Sequence, residues 1–458
     1  MQGVKSRALA VLFAMAMAMA IVVAAPLTAY ATTPPTLGTD YCAIDRGDPL
    51  MSDIGHPTLA AALADASLAS GDTIYLLDDI SESSLGVIIT QNLTIDLRGK
   101  NLEIGYLDVN GATVTVIGGG TLSANYIYVH NGGTLDITAD IDVANYIAVD
   151  GAILDVHGNI TTADYGIDAT ANATVTVTGN ITVAAASINY GIVAYTGATV
   201  TLVGDITGGY TGVHAENAGT VVTVTGTISG TAHSGIDAHN GAEITLFGDI
   251  NCPFGVDAED AGTVVTVTGD ITALQAGILT GLGGGAIVTL TGNINAGWGI
   301  AALGNDTITV TGNITAVDIG IEAHDGADIS VTGTVTATDT NGCGVFAVNG
   351  VKVSIVGTIN APRYIVFGTD DGSATFPIET DKTAAQSDAS SIMAGYLQYS
   401  GGNPPSWVWV KAGTGPFTPP LIPAAGDANN LFVWMVLLMS GAGSLSAYAI
   451  RRKARTRG

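Results

Sequence analysis

Six side chains in three short segments are the ones whose types and spacing could do chemistry. His214 and Glu216, Asp237 and His239, and Asp257 and Glu259 each stand two residues apart, and each pair follows a Gly-Val or Gly-Ile step. In an extended strand, residues i and i+2 share a face about 6.8 Å apart, and neighbouring strands lie about 4.8 Å apart. If the three segments are adjacent parallel strands, they form a grid of three rows and two columns. Asp237 then lies beside Asp257, and His239 lies between Glu216 and Glu259. Carboxylates about 5 Å apart suit a cation such as Ca2+, or the acid pair of a glycosidase. Imidazoles beside them favour the protonated form. The stripe stops at Leu279 and Ala301, and only the pair Glu322 and His324 reappears later. The expectation is therefore a flat, solvated face with each side chain free in water and no resident cofactor. A cation or ligand stripe is the sharper alternative.

Whether the grid exists depends on a repeat. Each copy has an alternating Val/Thr segment such as Thr-Val-Thr-Val-Thr at 174–178. A Gly-Asn or Gly-Asp step to a buried Ile follows, and then a third short apolar segment. The turn position recurs thirteen times, at Gly99, Gly120, Ala139, Gly158, Gly179, Gly204, Gly226, Gly248, Gly269, Gly292, Gly312, Gly333 and Gly357, a period of about 21 residues. A fixed period of this length marks a solenoid. Val points one way and Thr the other along each strand. Ile160, Ile181, Ile206 and their equivalents add a second inward position, and Ile167, Ile192 and Val213 a third. Three short strands per coil, all turning the same way, make a parallel β-helix, and crossover chirality favours the right hand. Leucine-rich, calcium-roll, helical and propeller repeats each need a pattern absent here.

Ahead of the coils, Leu59, Ala62, Leu63 and Ala66 fall on one helical face, with Pro57 near the start and Gly71 past the end. Such a helix would cover the open end of the core. Behind them, Ile392 to Tyr399 and Ser406 to Lys411 read as strands that close the other end, with Trp407 and Trp409 packed on the last coil. Cys42, Cys252 and Cys343 form no disulfide framework. The last two lie four coils apart, about 19 Å, beyond a disulfide's reach.

The chain is 47% apolar and only 12% charged, yet its net charge is −26, and residues 101–351 hold no Lys or Arg. A surface that acidic repels phosphate backbones, so nucleic acid is excluded as a partner. Residues 1–31 read as a secretory signal: basic Lys5 and Arg7, an apolar run, then Ala29-Tyr30-Ala31 before the cleavage point. Residues 431–450 are twenty uncharged residues, long enough to span a bilayer. The basic tail 451–458 follows, which the positive-inside rule places in the cytoplasm. The expected organisation is signal peptide 1–31, leader 32–56, N-terminal cap and first strands 57–98, parallel β-helix 99–372, C-terminal cap 373–412, Pro-rich linker 413–430, transmembrane helix 431–450 and basic tail 451–458.

The coil pattern with its leading helix resembles the pectate-lyase-like right-handed parallel β-helix superfamily, in particular its adhesin-type bacterial surface proteins, over residues 57–372. The C-terminal order of motif, apolar span and basic end resembles a Gram-positive sortase signal of the LPxTG type. Ile422, Pro423, Ala424, Ala425 and Gly426 lie in register with that motif, with Ile in place of Leu and Ala425 in place of the Thr whose carbonyl is attacked. These resemblances imply a non-enzymatic protein on the extracellular face of a Gram-positive cell, for adhesion or envelope structure. Its expected partners are the cell membrane, peptidoglycan through a sortase, and glycans or a host surface. The alternative is a carbohydrate-active enzyme, a polysaccharide lyase or glycoside hydrolase of the same fold. Pectate-lyase-type members use an Arg base and calcium-binding acids, whereas no Arg stands here between Arg98 and Arg363. The NTD, DD and GHG motifs of polygalacturonase-type members are absent.

Overall fold

The computed structural model describes residues 39–45, 53–184, 189–281, 283–369, 378–388 and 391–411. It is an all-β solenoid of the right-handed type with about fourteen turns. The turn beyond the thirteen counted copies is the coil of Thr73–Leu76, which pairs in parallel with Leu93–Asp96. Asp78 occupies the place where later coils carry Gly, which hides this coil from a count of glycine turns. Among the described residues no helix is long and apolar enough to cross a membrane. The signal segment 1–31, the linker 413–430 with Ile422 to Gly426, the span 431–450 and the tail 451–458 all lie outside the described residues.

The alternation produces the two faces. In Thr174–Thr178, Val175 and Val177 are buried while Thr174 and Thr178 are exposed. The strand pairs in register with Thr199–Val203, so Val175 lies on Val200 and Val177 on Leu202. β-Branched residues stacked on one another in this way fill a continuous interior. Ile181 and Ile192 are likewise fully buried.

Each coil has three strand segments, but in several coils the second and third are fused. Asn101–Asn110, Thr121–His130, Asp140–Asp150, Ile294–Ala302 and Ile314–Ala323 are single strands of nine to eleven residues. There the bend is taken up by a shift of register, as between Val143 and Tyr146. An extra residue on one strand bends it without ending the ladder.

The Gly-Asn and Gly-Asp corners do more than turn the chain. The side-chain oxygen of each corner residue accepts the backbone N–H of its counterpart one coil on: Asn159 from Asn180 (3.0 Å), Asn180 from Asp205 (2.8 Å), Asp205 from Thr227 (2.7 Å). The ladder resumes from Asp249 through Asp270 and Asn293 to Asn313, which accepts from Thr334. The preceding glycine is fixed by close approach. At Gly204 φ is +153°, and a Cβ would stand 2.1 Å from the carbonyl oxygen of Gly179.

Both ends are closed. The helix is only Leu59–Leu63, shorter than its sequence pattern suggests. Thr58 caps it, with Oγ1 accepting from Ala61 N–H, and the Glu82 carboxylate accepts from Leu59 and Ala60 N–H. It stops because Asp65 takes the Ser67 N–H (2.7 Å) in a local turn. The strand Cys42–Asp45, in the stretch read as a leader, joins the cap by pairing antiparallel with both Ile54–His56 and Thr73–Leu76. At the far end Ser406–Lys411 stacks in parallel on Lys352–Val356 and pairs antiparallel with Tyr396–Gly401. Cys42, Cys252 and Cys343 are buried and unbridged.

Candidate functional site

The three rows of the grid are the strands Thr211–Glu216, Ser234–His239 and Phe254–Ala258. Register aligns His214 with Asp237, Glu216 with His239, and Asp237 with Asp257. The core-facing neighbours Val213, Ile236, Val256, Ala215, Ala238 and Ala258 are fully buried, which fixes the stripe on the outer face. The glycine before each inward residue lets the coils close up: at Gly235 a Cβ would stand 2.4 Å from Ile250 Cγ2.

The side chains are not independent in water. The Asp237 carboxylate is held between two imidazoles, with Oδ2 2.8 Å from His214 Nδ1 and Oδ1 2.5 Å from His239 Nε2. The other nitrogen of His239 lies 3.6 Å from Glu259 Oε2. Glu216 turns aside and accepts from Asn240 Nδ2 at 3.3 Å. Asp257 is 6% exposed, and its Oδ1 has no hydrogen-bond partner. The grid thus brings together His214, Asp237, His239 and Glu259, sets the buried Asp257 beside Asp237 on the next coil, and leaves Glu216 at the edge.

Electrostatics separate the two aspartates. Burial works against the charge of Asp237, but the hydrogen bonds and charges of His214 and His239 outweigh it and hold the carboxyl well below the usual range. Burial of Asp257, and then the like charges of Asp237 and Glu259, push its carboxyl well above that range, with His239 pulling the other way. Burial opposes protonation of His239, yet the carboxylates of Asp237 and Glu259 raise it to about 11. Burial and neighbouring charge thus push the carboxyls of adjacent rows in opposite directions.

No family model, curated protein or solved structure matches this chain. The site is therefore read from its own chemistry.

Two features escape a reading of the six residues alone. Asp260 groups with His239 and Glu259, their donor atoms within 4.8 Å of one another. Its signal is its place next to Glu259 in the sequence. The second is an aromatic column on the same face. Tyr106, Tyr126 and Tyr146 stack with centroids 5.5 and 6.0 Å apart, Tyr165 stacks on Tyr190 at 5.5 Å, and Tyr190 meets His214 at 5.5 Å. This column was legible in Tyr165-Gly166-Ile167 and Tyr190-Gly191-Ile192, the same frame that carries the stripe. Stacked rings spend their faces on one another, so within each stack the column serves as packing rather than as a sugar platform.

Proposed function

We propose that this protein is a rod on the extracellular face of a Gram-positive cell, non-enzymatic, and of the adhesin type within the pectate-lyase-like superfamily. The observation that carries the reading is the unbroken parallel register from Thr73–Leu76 to Ser406–Lys411, with every coil seated on the last and both ends closed. Such a stack is stiff along its axis and presents the same faces at regular height, which suits a display or envelope element. In this reading residues 431–450 hold the chain in the membrane. The alternative to membrane retention is that Ile422, Pro423, Ala424, Ala425 and Gly426 act as a degenerate sortase signal, at which cleavage would release the chain from 431–450 and join it to peptidoglycan. Glycans or a host surface are the partners of the rod. Fractionation of the producing cell tests this: the protein should stay with the envelope, and an array of glycans and host-surface proteins should yield a ligand for it. Recovery of the chain from the cytoplasm would end the proposal.

A second reading, a polysaccharide lyase or glycoside hydrolase, has one observation in its favour. Asp237 and Asp257 are neighbours with their carboxyls pushed in opposite directions, as an acid and a base require. Against it, Asp237 is already engaged by two imidazoles. A panel of neutral and acidic polysaccharides should remain intact with the protein. Cleavage that Asp237→Asn and Asp257→Asn both abolish would replace the first reading with the second.

A further inference from the structure

We propose that His214, Asp237 and His239, with Asp257 and Glu259 around them, bind a divalent transition-metal ion of the Zn2+ class on the outer face of the solenoid.

Three observations carry this, beginning with convergence. His214 Nδ1 and His239 Nε2 reach the same carboxylate from two different coils, and one donor atom from each of His214, Asp237 and His239 lies within 4.8 Å of the others. Ligands at about 2.0–2.1 Å from a tetrahedral zinc stand about 3.3 Å apart. The present contacts of 2.8 and 2.5 Å need to open by about 0.5 and 0.8 Å to admit the ion. The side chains are about one-fifth exposed, so the site is reachable from solvent.

The second observation is what surrounds the donors. A metal-bound histidine typically presents its other ring nitrogen to a carboxylate, which fixes its orientation. His239 does so, with Nδ1 3.6 Å from Glu259 Oε2.

The third is a group that the protein leaves unsatisfied. Asp257 lies in register with Asp237, is 6% exposed, and has one carboxylate oxygen without a partner. A buried carboxylate normally finds donors or a counter-charge. No Lys or Arg occurs in residues 101–351 to supply one, and the nearby His239 is already shared between Asp237 and Glu259. A dication between the rows would supply one. Two imidazole nitrogens in the donor set favour the Zn2+ class over Ca2+, which takes oxygen ligands. On binding, the ion replaces the protons in the two N–H···O contacts to Asp237, and those protons pass to solvent.

The test uses the full chain freed of metal by chelation and dialysis, titrated with Zn2+ by calorimetry and with Co2+ by visible absorption. One ion per chain is expected, with the intense d–d bands of tetrahedral Co2+. His214→Gln, His239→Gln and Asp237→Asn should each weaken binding by about tenfold or more. His324→Gln, at the His–Glu pair farther along the same face, should leave binding unchanged. Binding that His214→Gln and His239→Gln do not alter, or that Ca2+ displaces at equal concentration, overturns the proposal. A readout on the unmodified chain guards against variants that fail to fold. Zn2+ should protect His214, but not the exposed His157, from diethyl pyrocarbonate as read by mass spectrometry. Equal labelling of His214 with and without Zn2+ would also overturn it.

Discussion

Asp168 shows how much a single position on the outer face is shaped by its neighbours. It sits in the strand Tyr165–Thr170, in register with Val193, and its Oδ1 has no partner. Burial, and to a lesser degree the charge of Asp150, push its carboxyl up to about 6, against a hydrogen bond from Tyr195 that lowers it. Tyr146 is a further titratable group near it. For an acid raised by folding, the unfolded chain loses its proton first as pH rises. The native state is then penalised progressively from about pH 4 to about pH 6, and the penalty is constant above that. The full shift corresponds to about 3 kcal/mol, and partial exposure of the residue reduces this to on the order of 2 kcal/mol. Asp168→Asn should therefore be the more stable protein at pH 7 and equal to the parent near pH 4. Urea midpoints across that range, taken as the difference between the two chains, measure it. A difference independent of pH would show that the carboxyl is not raised.

The corner between the first two strands of each coil is the element on which the stack depends, and it can be dissected atom by atom. Asn313 accepts from Thr334 N–H at 2.8 Å while its own N–H donates to Asn293 Oδ1 at 2.9 Å. Asn313→Ala removes one rung and should cost about 1 kcal/mol. Asn313→Asp keeps the acceptor, as Asp205, Asp249 and Asp270 do at the same place, and should cost less than half of that. The preceding glycine is a different matter. Gly204→Ala would place a methyl 2.1 Å from the Gly179 carbonyl and should cost roughly 3 kcal/mol or more. Gly99→Ala meets nothing within 4 Å and bears only left-handed strain, about 1 kcal/mol. Thermal denaturation of the four variants orders them, and a Gly204→Ala chain as stable as Gly99→Ala would show that the coils can part freely. Much of this element was legible beforehand. The repeat fixed where the corners fall, and the Val/Thr alternation fixed which residues point inward. The inter-coil acceptor role of Asn and Asp was not legible, because a Gly-Asn step explains itself as a turn before any neighbour is known. The site divides the same way. Equal spacing in Gly-Val-His, Gly-Ile-Asp and Gly-Val-Asp gave the register of the stripe. The burial of Asp257 and the capture of Asp237 by two rings depend on side-chain directions that spacing does not encode.

At the scale of the molecule the rod is about 67 Å long, from about fourteen turns at the inter-strand spacing of about 4.8 Å. Its stability is a chain of nearest-neighbour contacts, so damage at one end should stay there. The N-terminal end is the place to ask. Leu59 is fully buried where the short helix meets the first coils, and Ala62 beside it is buried too. The cap they belong to includes Cys42–Asp45, a strand that runs antiparallel to the rest and so lay outside any reading based on the repeat. Leu59→Asp buries a carboxylate without a partner, which costs several kcal/mol and should detach the helix. The core of the first coil then meets water, and an open coil end is a template for another chain. Hydrogen exchange should quicken in Thr73–Leu76 and Leu93–Asp96 and stay as slow as before in Val264–Thr268, nine coils away. Light scattering should show association that grows with concentration. If exchange instead quickens evenly along the rod, the coils unfold as one cooperative unit, and the nearest-neighbour account of this solenoid is wrong.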